Sequence, residues 1–154
     1  MATSNYSLLS IPATFVVAMA AHWNAIILSS TSKDLPPFDN RAPRAFLAKV
    51  SELAKTSADA RQYLRAEAAQ TNVFEQLGLY AAAVLCGNWA RLPTSYLNNA
   101  TGAYVALRVV YCVLYIKTDR AKFTGLRSLV WLASSIIALS LFVKSSTALN
   151  KALY

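Results

Sequence analysis

Four apolar runs, each near the roughly 20 residues that cross a bilayer core as a helix, constrain this chain more than anything else in it. They cover residues 8–29, 72–90, 101–116 and 126–143. An average soluble domain is about 25% charged, whereas here 14% of residues are charged and 56% are hydrophobic. The expectation is an all-α integral membrane protein, a four-transmembrane-helix bundle forming one domain over residues 1–154. The first run is too long for a signal-peptide core and has no basic stretch before it, so it reads as a retained span.

The segments between the runs carry the charge. Residues 30–65 form the longest polar stretch. Pro36-Pro37 interrupt helix, and from Ala45 to Leu64 the pattern turns helical. Thr56-Ser57-Ala58-Asp59 resembles a capping box, opening a helix that continues through Arg65 into the second span. A short turn with Pro93 and Asn98-Asn99 precedes the third span, and a basic turn over 117–124 precedes the fourth. Lys33, Arg41, Arg44, Lys49, Lys55, Arg61, Arg65, Lys117, Arg120, Lys122 and Arg127 fall on one side, against Arg91, Lys144 and Lys151 on the other. Basic loops stay in the cytosol, which places both large loops there and both termini across the membrane. A net charge of +8 would suggest nucleic acid in a soluble protein. Beside membrane spans it suggests lipid headgroups or an anionic substrate instead, and no nucleic-acid motif occurs. Cys86 and Cys112 lie inside apolar runs at no disulfide or zinc spacing. No metal site is expected.

Polar residues inside spans are the informative ones, because lipid makes them expensive. Glu75 is the only acid within the four runs and stands three residues after Asn72, on a shared helix face. Arg65, seven residues before Asn72, falls near the same stripe. In the third span Arg108, Tyr111 and Tyr115 are spaced i, i+3, i+7, and Tyr104 extends their face. A mid-span Arg needs a partner, and Glu75 is the candidate. Two readings follow. Glu75 and Arg108 lock two helices while the tyrosines pack, or the set holds a polar ligand bearing carboxylates and an amine, with arginine forks on the former. His22 in the first span likewise reads as a hydrogen-bonded packing residue or, alternatively, a ligand.

The residues also resemble a known family, the membrane-associated proteins in eicosanoid and glutathione metabolism (MAPEG). Arg65-Ala66-Glu67-Ala68-Ala69-Gln70-Thr71-Asn72-Val73-Phe74-Glu75 resembles its helix-two signature. Arg108-Val109-Val110-Tyr111-Cys112-Val113-Leu114-Tyr115 resembles its helix-three pattern, Asp39 to Arg44 its basic segment after helix one, and Arg127-Ser128 its Arg-Ser pair. Two positions depart: Ala68 stands where many members have arginine, and Trp131 where they tend to have tyrosine.

The resemblance implies a microsomal glutathione transferase-like member, a homotrimer in the endoplasmic reticulum membrane with glutathione bound between subunits near the cytosolic face. It implies that Asn72 and Glu75 hold the γ-glutamyl end, that Arg44, Arg65 and Arg108 contact carboxylates or order the site, and that Tyr111 and Tyr115 flank the peptide. Arg127 or Ser128 of the adjacent subunit would stabilise the thiolate, with Arg120 and Lys122 as competitors for that role. The implied activity is attack of the thiolate on a lipophilic electrophile, or its isomerisation or reduction. The alternatives are a non-catalytic member that presents a lipophilic ligand to a partner enzyme, and a structural or transport membrane protein.

Overall fold

A computed structural model describes residues 4–119 and 124–153 of the chain. A single 3-10 turn, Ser7–Leu9, leads into helix α1 (Ser10–Thr31). Helices α2 (Pro43–Leu53), α3 (Ala58–Trp89), α4 (Thr94–Lys117) and α5 (Thr124–Leu153) follow. No strand occurs among the described residues. The four long helices pack side by side, with α3 touching every other helix and α2 lying against α3. Three of them, over Ser7–Thr31, Thr94–Lys117 and Thr124–Ala152, are long and apolar enough to cross a membrane. Helix α3 is the longest, but its first third carries Asp59, Arg61, Arg65 and Glu67.

The contact between α1 and α3 follows from small residues. The buried face of α1 is Ser10, Thr14, Ala18, Ala21, Ala25 and Ser29, one residue per turn with no bulky side chain among them. On α3 the facing stripe includes Ala60, Ala66 and Ala69. Small side chains let helix backbones approach closely, which is how helices associate where lipid removes the hydrophobic drive. The large apolar residues of α1 face outward instead: Phe15, Val16, Trp23 and Ile27 are all about half exposed or more.

Several expected boundaries move. The helical pattern from Ala45 to Leu64 is two helices, broken at residues 54–57. The cap of α3 is Ser57, one residue later than the capping-box pattern suggested, and its hydroxyl accepts from the Ala60 N–H at 3.2 Å. Asp59, expected to complete the box, accepts from the Ser32 hydroxyl at 2.6 Å. Asn98 and Asn99 lie inside α4 rather than in the turn before it, and the Asn98 side-chain Oδ1 accepts the Tyr6 N–H at 2.8 Å. Helix α5 runs ten residues past the expected end at 143, with Lys144 seated over the Tyr96 ring at 3.8 Å.

One end of the molecule is closed by polar side chains. Asn88 of α3 donates to the Ser7 hydroxyl at 2.9 Å and accepts from Asn5 at 2.7 Å, while Asn98 of α4 donates to the Ser4 carbonyl at 2.8 Å. The turn from α3 into α4 is a Schellman motif. The Leu92 N–H reaches the Gly87 carbonyl and the Arg91 N–H that of Asn88, both at 3.1 Å, with Arg91 at φ 51°.

Candidate functional site

The opposite end, where α1 and α4 finish and α3 and α5 begin, holds the charged residues. Between α3, α4 and α5 lies a groove of about 540 Å³ lined by Asn72, Tyr111, Tyr115, Thr124, Arg127, Ser128, Trp131 and Leu132. Helical spacing explains the convergence. Tyr111 and Tyr115 are one turn apart on α4, and Arg127, Ser128, Trp131 and Leu132 share a face of α5. The Arg127 guanidinium sits over the Tyr115 ring, 4.4 Å from its centre. The Asn72 amide donates to the Ala68 carbonyl at 2.9 Å. Ser128 makes only a long contact, 3.5 Å, with the Thr124 carbonyl. The groove therefore joins a cation, an amide and two phenol rings to an apolar wall of indole and leucine.

Five residues expected at a site thus meet in this groove: Asn72, Tyr111, Tyr115, Arg127 and Ser128. Arg127 and Ser128 stand in it beside Asn72, Tyr111 and Tyr115 of the same chain. The other expected residues lie elsewhere. Arg65 lines an adjoining pocket of about 340 Å³ that shares Tyr115 and Arg127 with the groove, and its guanidinium is bonded to Asp119 at 2.6 Å and to the Ile116 carbonyl at 3.1 Å. Arg44 lines a separate pocket of about 180 Å³ with His22, Phe38, Tyr63 and Glu67. Arg120 and Lys122 lie outside the described residues.

The expected ion pair between Glu75 and Arg108 does not form. Glu75 is exposed, while Arg108 is wholly buried and none of its three side-chain nitrogens has a hydrogen-bond partner among the described residues. The three-residue step from Asn72 to Glu75 turns the side chain by about 60° around the helix, enough to carry Glu75 out of the interior. Arg108 is held instead by ring faces, 5.0 Å from the centre of Tyr104 and 5.8 Å from that of Tyr111, an arrangement that attracts a cation electrostatically. Tyr104 in turn stacks on Tyr80 of α3 at 3.6 Å. Arg108 therefore backs the groove wall through Tyr111 without lining the groove.

Sequence reasoning missed Glu67. Its carboxylate lies 2.7 Å from His22 Nδ1, tying α1 to α3, so His22 is a hydrogen-bonded packing residue. Burial, then the charge of Glu67, pushes the neighbouring Tyr63 phenol up to about 12. The signal was present, since Glu67 stands in the quoted helix-two segment, but the helix extends more than three turns before the expected start of its apolar part. Among the described residues no group of His, Cys, Asp and Glu is arranged to hold a metal ion.

The model of the MAPEG family matches residues 8–147, nearly the whole chain. The chain belongs to the MAPEG family. With its apolar helices, membership makes it a membrane protein. MAPEG proteins include glutathione-dependent transferases and isomerases as well as non-catalytic members. No curated protein and no solved structure matches the chain significantly.

Proposed function

We propose that this MAPEG protein is a glutathione-dependent membrane enzyme of the transferase type, which activates the glutathione thiol for attack on a lipophilic electrophile. The observation that carries the reading is the groove itself: Arg127, Ser128, Asn72, Tyr111 and Tyr115 share one cavity with Trp131 and Leu132. A peptide needs the polar half and a lipophilic substrate the apolar half. A free thiol has a pKa near ~8.5, and a neighbouring cation lowers it. Arg127 supplies that cation and Ser128 a hydroxyl donor. The thiolate sulfur then bonds to the electrophilic carbon as the leaving group takes the displaced electron pair.

In this reading α3 is a fourth span, the basic end faces the cytosol, and the membrane is that of the endoplasmic reticulum. Three copies assemble so that exposed Glu75, which has no partner among the described residues, and Arg44 reach glutathione across subunit boundaries. A non-catalytic role in presenting a lipophilic ligand is the second reading. What favours it is Arg127 itself, which already spends its charge on the Tyr115 ring.

The test is glutathione binding, and conjugation to a small aromatic electrophile, by the protein purified in detergent. The expected result is binding and turnover, with turnover rising through an ionisation below pH ~8.5, the free-thiol value. Arg127→Ala keeps binding, lowers turnover about 100-fold and moves that ionisation up toward ~8.5. Glu75→Gln weakens binding. Absence of binding by the wild type would refute the proposal, and binding without turnover selects the presenting role.

A further inference from the structure

Beside the groove, the pocket of about 340 Å³ brings together Arg61, Arg65 and Arg127, with Asp119 as the single carboxylate among its lining residues. Three guanidiniums therefore face one counter-charge. Asp119 divides its oxygens between two of them: Oδ1 accepts from Arg65 at 2.6 Å and Oδ2 from Arg61 at 3.2 Å. Each of these arginines is also fixed by backbone. Arg61 donates to the Ala54 and Ser57 carbonyls, both at 3.2 Å, and Arg65 to that of Ile116 at 3.1 Å. The forks are thus held in place independently of Asp119. Ala68, small, is among the residues that line the pocket beside them.

Among the described residues Asp119 has no such anchoring. It follows the C-cap of α4, Thr118, and its side chain is 47% exposed. Its pair with Arg61, itself 39% exposed, is of the exposed kind that holds weakly, while Arg65, 15% exposed, is the more sheltered partner. The site is pre-organised, and its occupant stands half in water.

We propose that this pocket is an oxyanion-binding site, in which Asp119 is a built-in stand-in displaced when a carboxylate, sulfate or phosphate enters. Arginine forks match such groups bidentately, and pre-set donors bind without an ordering cost. Because the pocket and the groove share Arg127 and Tyr115, a ligand lying in the groove with a carboxylate at one end can occupy both. The oxyanion site stands without the glutathione reading. That reading decides only whose carboxylate arrives.

The test uses the full chain in neutral phosphatidylcholine nanodiscs, with inorganic sulfate as probe at constant ionic strength and the shift in thermal midpoint as readout, since a ligand of the folded state raises it. Removing the internal competitor in Asp119→Asn lowers the half-saturating sulfate concentration about fivefold, the scale of one or two exposed charge contacts. Arg61→Gln raises it by a similar factor. A half-saturation that Asp119→Asn leaves unchanged or raises overturns the proposal, as does one that Arg61→Gln leaves unchanged. In a second arm, nanodiscs contain phosphatidic acid. If the lipid phosphate is the occupant, the sulfate response of the wild type is suppressed and that of Arg61→Gln is not. If a soluble ligand is, the wild-type response persists. Glutathione titrated in the same assay reports separately on the groove, so sulfate binding without glutathione binding leaves this site standing and removes the enzyme reading.

Discussion

Arg108 is the most costly side chain in the molecule. A guanidinium taken out of water with no acceptor loses several kcal/mol, and two ring faces return roughly 1–2 kcal/mol. Replacing such a charge by an apolar side chain of similar length is commonly stabilising. Arg108→Met is therefore expected to raise unfolding free energy by about 1–3 kcal/mol, measured as an increased thermal midpoint in detergent, with the proposed glutathione binding unaffected because the guanidinium reaches the groove only through Tyr111. A drop in midpoint would reveal an acceptor that buried water supplies. The sequence marked Arg108 as unusual but assigned it the wrong partner. Mid-span charges can be listed from sequence, whereas their pairing depends on rotation about the helix axis, and a turn of about 60° sent Glu75 outward. Besides the local surface pairs Arg41–Asp39 and Lys55–Glu52, the pairs that tie helices together, His22 with Glu67 and Asp119 with Arg61 and Arg65, join positions separated by 45 to 58 residues. No local spacing announces them.

Helix positions were more legible than helix ends. The apolar runs located α1, α4, α5 and the second half of α3, since burial in lipid asks only for length and hydrophobicity. The ends carry contacts that hydropathy does not show: Asn98, in the first turns of α4, serves the N-terminal segment, and Lys144, past the expected end of the fourth run, rests on Tyr96. The stop of α3 illustrates the energetics. Arg91 adopts φ 51°, a left-handed conformation that costs a side-chain-bearing residue roughly 1–2 kcal/mol. Glycine takes it freely, offset by its greater freedom when unfolded. Arg91→Gly is expected to stabilise by roughly 0.5–1 kcal/mol, read as a higher thermal midpoint. At the other end of α3, Ser57→Ala should cost about 1 kcal/mol by leaving the Ala60 N–H uncapped.

At the scale of the whole molecule an apolar core is wrapped in an outer surface that is also largely apolar. Arg108, Thr14, Thr101 and several serines are inside, while Trp23, Leu129, Ile136, Leu139 and Val143 are half exposed or more. This is what a bilayer selects, and the composition already implied it. Composition leaves open whether α3 also crosses, because its charged first third dilutes its hydropathy. The loop before α3 and the turn after it lie on opposite sides of the membrane only if it does. In a Cys86→Ala, Cys112→Ala background, Arg41→Cys and Ser95→Cys placed one at a time should react with an impermeant maleimide from opposite faces of sealed vesicles. Labelling of both from the same face would leave three spans. The two ends of the bundle are also joined by different chemistry. At one, Asn5, Ser7, Asn88 and Asn98 interlock through neutral hydrogen bonds that salt does not weaken. At the other, Arg61 and Arg65 clasp Asp119 through ion pairs that dissolved salt screens. One end of the bundle is therefore sensitive to ionic strength and the other is not, and the groove lies beside the sensitive end, so dissolved salt acts on the neighbourhood of the groove first.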